Sequence, residues 1–158
     1  MLVDALLVWL HLLSAAFWVG GMACMQFAVR PAAGLALEPP PRLKMMSATL
    51  GRFFAGVSVA VVLLAASGAL LVARLGGWEA LHWSVHAMAA LGLAMIAIYG
   101  HVRFAAYPRV QRAVQAGDLA AAAAGLPLIR RLVNVNLALG VLVFAVAVVG
   151  RALPASGS

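Results

Sequence analysis

The chain has 158 residues, 66% of them hydrophobic and 9% charged, with a formal net charge of +7. A soluble domain carries about 45–50% apolar and about 25% charged residues, so a water-soluble globule is excluded as the main body of this chain. The positive balance falls between apolar runs rather than on one basic surface, so no nucleic-acid partner is needed to account for it.

Four apolar runs start at Leu2, Phe53, Leu81 and Leu132. Each is close to the ~20 residues that cross ~30 Å of hydrocarbon at 1.5 Å per residue. The expected fold is all-α and integral to a membrane: a four-transmembrane-helix bundle forming a single domain over residues 1–158. The helices are expected at about 2–28, 53–73, 81–104 and 132–150, with loops at 29–52 and 105–131. The first run has no basic leader and exceeds the 7–15 apolar residues of a signal peptide, so it reads as a retained helix.

That first run contains HLLSAAFWVGGMACM, residues 11–25. At 100° per residue, His11 shares a face with Ser14, Ala15, Trp18, Met22 and Met25. An ionisable ring within a membrane span is costly, and marks a functional site by default. Asp4 lies on the same face about 10 Å above His11 and reads as an exposed terminal acid. Cys24 is the single cysteine and forms no intrachain disulfide.

The first connection carries Pro39, Pro40 and Pro41, expected to stiffen an extended arm, followed by an amphipathic lead-in, LKMMSATLGRFF. The second run has a small-residue patch, AASGA at 65–69. Trp78 and Trp83 in the short second connection suit an interfacial aromatic belt. The third run begins with a His82/His86 pair one turn apart. His86 shares its face with Ala89, Ala90, Leu93, Ala97 and Gly100, a small-residue stripe that suits either close helix approach or a slot for a flat ligand. His101 reads as a headgroup-facing side chain. The third connection is expected to extend the third helix, and to break at Gly117 and Gly125–Pro127. Asn134 and Asn136 open the fourth run after Arg130 and Arg131, and read as interhelical hydrogen-bonding groups. No internal repeat is evident.

The first and third connections hold nine of the 11 Lys and Arg residues, the second only Arg74 and the C-terminus only Arg151. By the positive-inside rule, both termini face the periplasm, and the protein sits in a bacterial inner membrane as a multi-pass protein.

Arg30 follows His11 by 19 residues and Arg103 follows His86 by 17. The two histidines are then expected within about 3 Å of the same depth. Two level imidazoles, a small-residue slot and the neighbours Ser14 and Trp18 suit a b-type haem ligated by His11 and His86. Such a centre would serve electron transfer, with a redox partner or quinone, as in a cytochrome b subunit or membrane oxidoreductase. The alternative is a non-enzymatic copper carrier using His11, His82 and His86, with the soft sulfurs of Met22 and Met25 about 16–21 Å farther down the helix. A third reading is a membrane scaffold with packed histidines.

The string His11…Trp18-Val19-Gly20-Gly21 and the basic entry RRLVNVNLALG (Arg130 to Gly140) resemble the CopD domain of bacterial copper-resistance and copper-uptake membrane proteins. The resemblance implies an inner-membrane helical bundle that handles copper in the periplasm. The chain is also similar to haem-binding four-helix proteins of protoporphyrinogen-oxidase type, a similarity that carries over His11 alone as ligand. Full-length CopD has about eight spans, and alternating access usually rocks one repeat against another, so a homodimer is the form that restores the missing half.

Overall fold

The computed structural model describes residues 1–152. Four helices account for most of it: α1 (Leu2–Ala36), α2 (Pro39–Arg74), α3 (Trp83–Gln115) and α4 (Leu119–Ala152). All four are long and apolar enough to cross a membrane. At 1.5 Å per residue, helices of this length run about 50 Å, well beyond ~30 Å of hydrocarbon, so their ends project past the apolar layer.

The connections are therefore shorter than expected. The three prolines do not form an extended arm, because Pro39–Pro41 occupy the first turn of α2. First-turn N–H groups have no intrahelical acceptor, so a residue lacking that N–H costs nothing there. Gly125 and Pro127 likewise leave α4 unbroken. The actual stop is Gly117, whose φ of +74° suits the left-handed conformation that only glycine adopts without strain. Asp118 then caps α4 by accepting from the Ala121 N–H at 2.9 Å. Gly76 and Gly77, also at positive φ (+97° and +83°), follow the end of α2.

Two π-helical turns interrupt the ladder, Met25–Val29 in α1 and Val102–Ala106 in α3. Each precedes a proline by two residues, Pro31 and Pro108. A proline inside a helix removes one hydrogen bond and pushes on the carbonyl four residues back, and a widened turn absorbs both. The segments FAVRP (27–31) and FAAYP (104–108) thus share a conformation and three residue types.

Three contacts fix an up-down-up-down order. Arg74 at the end of α2 pairs with Asp4 at the start of α1. The Tyr107 hydroxyl, late in α3, donates to the Ser47 carbonyl, early in α2, at 3.0 Å. A side chain at Gly150, near the end of α4, would collide with Ser84 at the start of α3. The bundle has two ends accordingly: one with Asp4 and Arg74, the other with Arg30, Arg42 and Arg130.

The core is aromatic at its centre. Trp18 meets Tyr99 edge-on at 5.8 Å between centroids, and Phe54 packs on both Tyr99 and Tyr107. The Tyr99 hydroxyl donates to the Phe54 carbonyl at 3.0 Å, so its polar atom is satisfied inside the bundle. Where no hydrophobic effect separates helix from lipid, such packing and interhelical hydrogen bonds supply the association energy.

Candidate metal-handling site

The α1 face read from the 100° periodicity is the buried one: Ser14, Trp18, Met22 and Met25 all point into the core. His11 sits at its upper end against α2. Its Nδ1 lies 3.1 Å from the Ser67 hydroxyl oxygen, and Ser67 is buried. That hydroxyl owns a single proton, and the Leu63 carbonyl receives it at 2.6 Å. With that proton on the Leu63 carbonyl, Ser67 is able to accept from His11, and on this assignment the ring proton sits on Nδ1 and the lone pair on Nε2. Metal-binding imidazoles are held in this manner, one nitrogen donating to the protein and the other presented to the ion. Gly68 makes the seat possible. A Cβ there would lie 3.2 Å from His11 Cε1, so the ring edge rests directly on the α2 backbone.

His82 has the opposite polarity. It precedes α3 and caps it, its Nδ1 accepting from the Ser84 N–H at 3.4 Å and lying 2.9 Å from the Ser84 hydroxyl. While Nδ1 accepts in this cap the proton sits on Nε2, which is buried without a partner among the described residues. Ligating a metal through that nitrogen would require the other tautomer and loss of the cap.

His86 is exposed, and its ring stacks on Trp78 at 5.6 Å and 35°. Ala90, Leu93 and Ala97 are exposed with it, while α3 buries Ser84, Met95, Tyr99 and Val102. The small-residue stripe expected to line a slot thus faces outward. The depth comparison also changes. Trp18 and Tyr99 meet on parallel helices. Counting back 7 residues to His11 and 13 to His86 puts His86 about 9 Å closer to the Asp4 end. Arg103 misled the count because its helix does not end there but continues to Gln115.

The structure therefore does not fit a haem ligated by His11 and His86. One ring is fixed to α2, the other is stacked at the exposed rim about 9 Å higher. A cleft of macrocycle size, about 640 Å³, lies at the arginine end and is lined by none of the histidines. His101 is exposed, and no cluster of three His, Cys, Asp or Glu side chains occurs among the described residues.

Among the other polar candidates, Asn136 is buried and donates to Met22 Sδ at 3.8 Å, whereas Asn134 is exposed. Asp4 pairs with Arg74 and so is not a free acid. Sulfur is more concentrated in the core than helix phase suggested: Met22, Met25 and Met95 belong to one buried cluster, with Met46 packed against it. Ser67 and Gly68, the residues that seat His11, went unassigned in the sequence. The AASGA patch was the available signal, but only the α1–α2 pairing says which of its members meets an imidazole. Arg151, used in the charge count, lies outside the described side chains.

No curated protein and no solved structure matches this chain. The family model of copper resistance protein D, CopD, matches residues 47–150. The match spans α2, α3 and α4 nearly entire, about two thirds of the 158-residue chain, and includes Ser67, Gly68 and the Arg130–Gly140 segment but not His11. On the fold and this match together, the chain is a multi-pass helical membrane protein belonging to the CopD family.

Proposed function

We propose that the protein handles copper as cargo in copper uptake or resistance, with His11 as its intramembrane ligand. The observation that carries this reading is the 3.1 Å contact of His11 Nδ1 with the buried Ser67 hydroxyl, from which we assign the ring proton to Nδ1 and the metal-binding lone pair to Nε2. The CopD membership supplies the metal. Thioethers are soft ligands that select Cu(I). Met22, Met25 and Met95 in the core and Met46 beside it supply them between His11 and the arginine end. His86, exposed at the Asp4 end, is the proposed entry donor, and His82 serves as the α3 cap. The charge distribution supports placing the Asp4 end in the periplasm and the protein in a bacterial inner membrane. A second copy remains the proposed source of further ligands.

The test is Cu(I) titration of detergent-purified protein against a chromophoric chelator, alongside copper sensitivity of cells expressing each variant. Wild-type protein is expected to bind copper stoichiometrically and to shift copper sensitivity. His11→Ala is expected to lose both with its helix content intact, and His86→Ala to slow uptake while retaining binding. Full copper binding by His11→Ala would refute the assignment. A Soret band in protein from haem-replete cells, abolished by His11→Ala, would reinstate haem.

A further inference from the structure

The cleft of about 640 Å³ at the arginine end is built by three helices, each of which contributes one arginine to its lining: Arg30 from α1, Arg42 from α2 and Arg130 from α4. No carboxylate lines it. Among the described residues both ion pairs use Asp4, which belongs to the opposite end. The side-chain partner of Arg30 is the neutral Gln26 Oε1, at 3.4 Å, and Arg30 and Arg130 repel one another as like charges. Three helices thus converge cations that have no carboxylate partner among the described residues, a cluster that an anion would stabilise. Much of the remaining lining is apolar, with Leu43, Leu50 and Val133.

We propose that this cleft is a binding site for an anionic phospholipid, with the headgroup phosphate among Arg30, Arg42 and Arg130 and an acyl chain along the apolar wall. Arginine's planar fork suits phosphate oxygens bidentately, and basic pockets between transmembrane helices take anionic headgroups. The apolar wall selects an amphiphile over free phosphate, because a soluble anion would leave that surface uncovered. The bound lipid would join α1, α2 and α4 at the end where the α1–α2 connection is only two residues long. This site is independent of how copper is handled.

Native mass spectrometry of the delipidated full-length chain tests it, titrating phosphatidylglycerol, phosphatidylcholine of identical acyl chains, or inorganic phosphate. Wild-type protein is expected to retain one phosphatidylglycerol selectively. Each arginine near the headgroup contributes about fivefold, so R30Q/R42Q/R130Q is expected to weaken retention about a hundredfold. Arg42→Gln alone should weaken it about fivefold, which keeps the test usable if the triple variant misfolds. Arg112→Gln, outside the cleft, should change nothing. Equal binding of both lipids, undiminished retention by the arginine variants, or phosphate binding without lipid retention would each overturn the proposal.

Discussion

Removing the Ser67 hydroxyl isolates the contact on which the copper reading depends. In Ser67→Ala the His11 Nδ1–H loses the acceptor now 3.1 Å away. The Leu63 and Leu64 carbonyls that Ser67 contacts lie within a continuous helix and keep their backbone partners, so His11 is the group left short. An interhelical hydrogen bond of this kind within a membrane contributes about 1 kcal/mol, so α1–α2 association should weaken only slightly. The effect on metal is larger. Loss of the group that orients a ligating imidazole typically costs 10–100-fold in affinity, or about 1.4–2.7 kcal/mol. Cu(I) competition titration reads this directly, with thermal unfolding in detergent as the stability control. Gly68→Ala approaches the same ring from the other side. Its Cβ would lie 3.2 Å from His11 Cε1, displacing the imidazole by a few tenths of an ångström while improving helix propensity by up to about 1 kcal/mol. Copper affinity should therefore fall without a matching loss of helix stability. Wild-type affinity in both variants would refute the argument that Ser67 and Gly68 set the His11 tautomer and position.

Three further substitutions test the packing. Phe54→Ala removes a fully buried ring that joins Tyr99 to Tyr107, and is expected to cost about 3–5 kcal/mol in detergent unfolding. Gly140→Ala would place a methyl 2.6 Å from Val19 Cγ2. Because valine is stiff at χ1, α4 must shift from α1, with an expected loss of about 1–3 kcal/mol and a lower thermal midpoint. Asn136→Leu removes a buried side chain whose Oδ1 has no partner and whose Nδ2 makes one long bond to sulfur. Its unfolding free energy should stay within about 1 kcal/mol of wild type, and a loss above about 2 kcal/mol would show that the amide is better satisfied than this geometry indicates.

Helix phase was legible where one face of a regular helix is buried. The His11, Ser14, Trp18, Met22 and Met25 stripe follows from a 100° rotation, and α1 buries the last four. The same arithmetic failed on α3. The small residues beside His86 form a stripe of their own, but small side chains suit a helix interface and a lipid-facing surface alike, and Met95 and Tyr99 took the core instead. The break at Gly117 was legible, but the prolines were misread because proline acts by position. Pro39–Pro41 begin a helix and Pro127 lies within one, whereas Gly117 at positive φ stops one. The FAVRP and FAAYP segments share only three residue types, and it is the structure that marks them as the places where α1 and α3 widen into a π turn.

By itself the sequence determined a four-span membrane protein, because apolar length and the scarcity of charge act locally and need no partner. It also determined that His11 is exceptional, since an imidazole within a span must be compensated. Only the tertiary structure decided what compensates it. The Ser67 hydroxyl lies 56 residues away, and just one registry of α1 against α2 brings it to Nδ1. That registry sets the His11 contact, whereas the His82 cap on Ser84 is local and His86 faces outward. Hydrogen-bond direction and facing depend on which helices meet and at what height, quantities set by packing across the whole bundle.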